Sequence, residues 1–328
     1  MGGARRAEAA TLPDARWRAL VSIGVAVVAA VFVILLYHQQ ANRNVISDWD
    51  PTWAGARALV EGRSPYAEIT VPPWPNWLLY PLPAILLSAP FTLIPLDWAR
   101  PLMAAIGTAA FTWTITRRGR WTLWFLLSGA MLWSWIDVQW APLLIAAALT
   151  PALSWLLAVK PTLGFALWGG WPNRIAVIGG LLFVAVCFAV MPGWVPEWLA
   201  SVARTPHKPD LFRPGGFLLL LAALRWRRPE ARMLALLALV PCTTALYEVL
   251  PVALVCEDKR QARAFAVLTM VAHLLFFLGP QGPWPVGAAY QWWLLLGMIH
   301  LPALVLVLSR PNVAEPGGWW PVTPARFG

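Results

Sequence analysis

The sequence predicts an all-α polytopic membrane protein, and three observations carry that expectation: its apolar content, its scarcity of charge and its long uncharged runs. Apolar residues make up 59% of the 328 residues and charged residues 12%, roughly half the ~25% of an ordinary soluble domain. So few charges cannot cover the surface of a water-soluble fold. A disordered tail, a basic nucleic-acid module and a disulfide-stapled secreted scaffold are excluded on the same ground. At ~20 apolar residues per crossing, the length allows a bundle of about 9–11 transmembrane helices and no sizeable soluble domain.

The first span is read at residues 19–38, where Leu20–Tyr37 is apolar and uncharged. Arg5, Arg6, Arg16 and Arg18 precede it, which predicts a cytoplasmic N-terminus. A cleaved signal peptide is discounted, because the run is long and no A-x-A-like site follows. Residues 39–77 form the first external loop, the longest polar stretch of the N-terminal half. Further spans fill residues 78–193, with runs at Leu78–Leu96, Leu102–Thr116, Trp121–Ile136, Leu143–Ala158 and Ile175–Met191. A second external loop is expected at 194–217, C-terminal spans at 218–310 and a tail at 311–328. The C-terminal runs are Met233–Val255, Ala264–Leu278 and Trp292–Leu308; Leu163–Trp168 and Phe217–Leu224 are too short to cross alone.

The net charge of +10 fits cytoplasmic loops rich in Lys and Arg, with membrane lipids as partners and no nucleic acid. The clusters Arg117–Arg120, Arg225–Arg228 and Lys259–Arg263 are expected on that side. Simple alternation conflicts with this for 117–120, unless 78–96 or 102–116 is re-entrant or the rule fails there. Most of the 23 Trp sit near run ends, as at Trp74, Trp77, Trp121, Trp194, Trp198, Trp292 and Trp293, which reads as an interfacial belt. Cys187, Cys242 and Cys256 are expected as buried thiols without bridges.

The first loop holds the densest chemistry. The residue before a proline is pushed out of the helical region and proline suits the first helical turn, so Asp50 reads as an N-cap and Pro51 as the start of a short amphipathic helix. Trp53, Ala56, Leu59 and Val60 share its apolar face, Gly62 supplies the left-handed stop, and Pro65 prevents resumption. With Asp50 occupied by its own helix, Asp48 is left for chemistry; solvated loop acids are the plain alternative.

The order Asp48-Trp49, Trp53, Ala54-Gly55-Ala56, Ala58-Leu59, Gly62, Pro65-Tyr66 resembles the first-loop signature of GT-C class membrane glycosyltransferases. The closest resemblance is to family 87, the polyprenyl-phosphate-mannose-dependent mannosyltransferase-like proteins. Thr52 departs, where an aromatic is common. Tyr80-Pro81-Leu82-Pro83 is similar to the family's Tyr-Pro-Pro-Leu, and Val159-Lys160-Pro161-Thr162 to its Lys-Pro-Thr. Asp137-Val138-Gln139-Trp140 is similar to its Gly-Gln-x-Asn turn, with only Gln139 matching. Tyr247-Glu248-Val249-Leu250 is similar to a Tyr-Asp-Leu-Val-Leu pattern of some members. The chain is short for the class.

The resemblance implies a GT-C-like bundle and a catalytic base at Asp48. It implies an inverting transfer of a single sugar, mannose by family, from a polyprenyl-phosphate-linked donor to a lipid or glycan acceptor at the external face of a bacterial plasma membrane. Because the donor phosphate is a good leaving group, one base to take the acceptor proton suffices. Substrate-binding candidates are Arg63, Tyr66, Tyr80, Gln139, Arg204, His207, Lys208, Arg213 and Glu248. Of these, the cations suit the lipid phosphate. Glu248, in an apolar run, is a functional residue, a buried ion pair or a protonated structural acid. Lys160 reads as a cytoplasmic anchor, and His273 and His300 as packed helix residues. Asp48-Trp49-Asp50 is not read as a metal-chelating pair, so no metal and no cofactor are expected. The alternatives are a transporter or lipid flippase, which should show repeated halves, and a non-catalytic scaffold of the same fold.

Overall fold

The computed structural model describes residues 14–39, 47–68, 78–204, 207–279 and 286–313. Among these the chain is helical apart from one antiparallel strand pair, Lys208–Pro209 with Pro241–Cys242. α1 (Ala15–Gln39) leads to α2 (Asp50–Val60), α3 (Pro65–Glu68), α4 (Leu82–Ser88) and α5 (Leu96–Ile115). α6 (Gly129–Ile136) and α7 (Ala141–Ala148) meet at a 118° bend. α8 (Pro161–Gly170) precedes α9 (Arg174–Val190) and α10 (Trp194–Ala203), which meet at 100°. α11 (Pro229–Leu239), α12 (Lys259–Leu278), α13 (Val286–Leu295) and α14 (Leu301–Leu308) follow, with a π-helical turn, Leu296–His300, joining the last two. Four 3₁₀ helices, Arg120–Leu127, Pro151–Val159, Gly216–Arg225 and Leu246–Val255, carry apolar sequence between them.

Proline and capping residues place these boundaries. Proline occupies the first turn of α2, α4, α7, α8, α11 and α14, where its missing N–H has no helical partner to lose. Ser128, Asn173 and Asp258 accept a backbone N–H at the starts of α6, α9 and α12, as N-caps do. This punctuation divides the long apolar runs into shorter helices. Three described helices are long and apolar enough to cross a membrane, or up to five if each bent pair is one span. Many runs that are continuous in apolarity are cut by proline or pass into 3₁₀ geometry.

The structure brings the 117–120 cluster to the same end as the start of α1. α5 lies antiparallel along α1: Arg100 stacks on Tyr37 at the end of α1, while Arg18 near its start reaches Thr116 and the Trp113 carbonyl. The 78–96 segment begins and ends near α2. Tyr80 lies close to Asp48, Trp53 donates to the Phe91 carbonyl, and Arg100 binds Asp50. That segment turns back toward α2. Arg118 lies within electrostatic reach of Cys256, which is also near Arg310, and Arg310 meets the Arg228 network. All three basic clusters therefore share one end. Following the described chain through these contacts puts fourteen Lys/Arg and four Asp/Glu at that end, against seven and nine at the Asp48 end.

Two belt tryptophans are corrected. Trp194 and Trp292 are buried, and Trp292 donates to the Pro214 carbonyl at 2.9 Å. Trp293 is exposed and Trp74 and Trp77 lie outside the described residues. Cys187 and Cys256 are buried and Cys242 is half-buried, all as free thiols.

Candidate functional site around Asp48

Asp48 sits in the turn that opens α2, and the turn is held by its neighbour. The backbone N–H of Ser47 donates to Asp50 Oδ2 at 2.8 Å and the Ser47 hydroxyl to Oδ1. From α5, Arg100 donates to both oxygens of Asp50, Nε to Oδ1 at 2.8 Å and Nη2 to Oδ2 at 2.7 Å. The expected N-cap role of Asp50 is corrected: Asp50 is the first residue of α2, its Trp49 cap makes no side-chain bond, and the Asp50 carboxylate is a fully buried ion-pair partner. Such a carboxylate is costly to bury without a guanidinium beside it. Trp49 packs edge-on against Phe91 at 5.4 Å, completing a rigid mount.

α2 differs from its expected single stripe. Pro51, Thr52, Trp53, Gly55, Ala56 and Ala58 are all buried, while Val60 is 64% exposed. Gly62 takes the left-handed conformation, φ 77°, that stops the helix. Pro65 does not prevent resumption; it opens α3.

Asp48 Oδ2 accepts hydrogen bonds from Gln139 Nε2 at 2.7 Å and from the Tyr247 hydroxyl at 2.9 Å. Gln139 in turn accepts from the Tyr80 hydroxyl at 3.2 Å. Gln139 is delivered by the break between α6 and α7. There Val138 adopts φ 50°, a conformation costly for a β-branched residue and cheap for glycine. Lys160, between the Pro151–Val159 helix and α8, pairs with Glu248 Oε1 at 3.0 Å. Its ammonium lies 4.9 Å from the Tyr247 ring centre and 5.9 Å from that of Tyr80. Gly164 makes this corner possible, since a Cβ there would collide with the Leu157 carbonyl. Lys160 is thus corrected from anchor to site residue, and Glu248 resolves as an ion pair.

Burial raises the Asp48 carboxyl above the ordinary range, and Glu248 and Asp50 add to that shift. The hydrogen bond from Tyr247 and the charge of Lys160 oppose it. A carboxylate raised in this way is a better proton acceptor near neutral pH than a solvated one.

A second cluster adjoins through Glu248, which acts electrostatically on both Asp48 and Asp210. Arg213 pairs with Asp210 at 3.0 Å, donates to the Cys242 carbonyl, and faces the Trp292 ring. The Cys242 thiol donates to Asp210 at 3.1 Å. Burial pushes the Asp210 carboxyl up to about 6. A cavity of about 20 Å³ lies between the clusters, lined by Thr162, Asp210, Cys242, Thr243, Glu248 and His300 with apolar neighbours.

The remaining sequence candidates fall on other elements. Arg63 pairs with Glu61, which also holds Arg57, on an exposed surface. Tyr66 is buried and donates to the Tyr80 carbonyl at 3.3 Å, so it positions the Tyr80 segment. Arg204 is exposed at the end of α10, His207 precedes the strand pair, and Lys208 enters it with its side chain exposed. Sequence reasoning missed the convergence of Tyr247, Lys160 and Arg100; the first two were signalled by their motif echoes, and Arg100 by nothing local. Among the described residues, no group of three or more His, Cys, Asp or Glu is placed to hold a metal ion. Comparisons of the chain with protein-family models, curated proteins and solved structures find no match.

Proposed function

We propose that this chain is a membrane glycosyltransferase of the GT-C type. It moves one sugar from a polyprenyl-phosphate donor to a lipid or glycan acceptor, with Asp48 as general base. The observation that carries this reading is convergence. The five segments that resemble the family's motifs, separated by up to 199 residues, meet around one carboxylate through Gln139, Tyr80, Tyr247 and Lys160. A scaffold has no need to gather them with a proton acceptor raised by burial.

In this reading Asp48 takes the acceptor hydroxyl's proton while that oxygen attacks the anomeric carbon. The bond to the donor phosphate breaks on the opposite side, with inversion. Gln139 and Tyr247 fix the carboxylate's orientation. Lys160 replaces Arg63 as the cation nearest the reaction, and it meets the departing phosphate once Glu248 releases it. The charge bias between the two ends supports an orientation with the basic end in the cytoplasm and Asp48 outside.

The test is transfer by the purified chain from short-chain prenyl-phosphate mannose, glucose and arabinose, read as product mass. Asp48→Asn is expected to lower the rate by about 10²–10⁴, the usual contribution of a positioned base. Absence of transfer from every donor sinks the enzyme reading, and a fully active Asp48→Asn protein removes the base assignment.

A further inference from the structure

Cations along one edge of the basic end are held differently from those at the Asp48 end. At the Asp48 end, Arg57, Arg63, Arg100, Lys160 and Arg213 each face a carboxylate. Along the opposite edge, formed by the start of α1, the 117–120 turn and the start of α12, guanidiniums rest on indole rings instead. Arg18 lies 4.0 Å over Trp113, Arg120 4.9 Å over Trp17, and Arg263 4.9 Å over Trp124. Arg117 lies within electrostatic reach of Arg18. Among the described residues, none of Arg18, Arg117, Arg120 and Arg263 forms an ion pair. The nearby acids are engaged elsewhere: Asp14 accepts the Trp17 N–H and Asp258 caps α12.

Adjoining like charges repel, and an anion between them reverses the sign of the interaction. Guanidinium offers a planar fork that matches phosphate oxygens, and indole rings hold such groups at headgroup level. Toward the bundle the same edge turns apolar: Leu20 and Ile23 of α1 are 71% and 61% exposed, and Leu127 is 61% exposed. A soluble anion would use only the cationic half of this surface. An anionic phospholipid uses both.

We propose that this edge is a binding site for an anionic phospholipid. Its phosphate sits among Arg18, Arg117, Arg120 and Arg263, and its acyl chains lie along α1. The site is remote from Asp48 and does not rest on the transferase reading.

The experiment uses the full chain in neutral detergent with added phosphatidylglycerol, phosphatidylcholine or inorganic phosphate. Retained lipid is read by native mass spectrometry and stability by thermal unfolding. Phosphatidylglycerol is expected to be retained and to raise Tm at concentrations where the other two do nothing. Arg117→Gln with Arg120→Gln should weaken its retention by about tenfold per guanidinium, near 1.4 kcal/mol each, without changing Tm in phosphatidylcholine. Equal retention of the two lipids, an equal Tm rise with inorganic phosphate, or wild-type retention by the double variant overturns the proposal. Should that variant fail to fold, wild-type protein decides alone: the preference for phosphatidylglycerol must fall as salt rises, and indifference to salt overturns it.

Discussion

Arg100 grips Asp50 through two parallel hydrogen bonds, 2.8 Å and 2.7 Å long, two residues beyond the carboxylate that meets Gln139 and Tyr247. The ion pair fixes the start of α2 against α5 and so fixes where Asp48 points. Removing one partner leaves a buried uncompensated charge, at about 3–5 kcal/mol. Asp50→Asn and Arg100→Met are each expected to lower Tm strongly, and the double variant should recover much of the loss. Asp48→Asn should stay near wild type. Thermal unfolding of the four proteins checks all of this, and additive losses in the double variant would refute the pairing.

Tyr247 tunes the base rather than serving as one. Its hydroxyl favours the ionised form of Asp48 against the upward push of burial. Tyr247→Phe is therefore expected to move the acidic limb of the transfer-rate profile to higher pH, with the plateau largely kept. A rate profile over pH 4 to 8 decides it, and a limb that stays put or moves down contradicts the assignment.

Glu248 and Lys160 should fail in opposite directions. Glu248 holds the ammonium at 3.0 Å, the place an anionic donor group would take. Glu248→Gln frees Lys160 and is expected to lower donor KM several-fold. Lys160→Met is expected to raise it about tenfold, near 1.4 kcal/mol. Steady-state kinetics at saturating acceptor gives both numbers, and shifts of the same sign would reject the competition.

Asp210 makes stability depend on pH with a definite sign. Its folded carboxyl is pushed up to about 6, from an ordinary value of 3.8, so between these values the folded state holds a proton that the unfolded state has lost. Its contribution is fully present below about pH 4 and is lost as pH rises through 6, at most about 3 kcal/mol in all. Tm is expected to fall across that window in wild type, and the fall should be absent in Asp210→Asn. A flat wild-type curve over pH 4 to 6 would exclude the effect.

Many helix starts and stops could be read from local pattern, because caps, prolines and apolar runs act within a few residues. Gly62 ends α2 where the sequence says it must. Asp50 could not be understood locally: its carboxylate answers to Arg100, fifty residues on, and a cap and an ion pair look alike in sequence. Lys160 was misplaced because an apolar run does not say at which end of the bundle it stops. Val138 shows a further limit. It holds a conformation suited to glycine, and only the tight turn that presents Gln139 requires it.

The 3₁₀ geometry of Leu246–Val255 has a consequence for what changes in length this chain can bear. With three residues per turn, side chains three apart stand in line. Tyr247, Leu250 and Ala253 therefore form one straight edge, and Glu248, Pro251 and Leu254 the next. Deleting a single residue ahead of Tyr247 would turn the rod by a third of a circle and bring the carboxylate of Glu248 to the station of the phenol, facing Asp48. An acid would then confront an acid where a donor hydroxyl had stood. Substitutions along this rod can be absorbed one edge at a time, whereas its register is all or nothing.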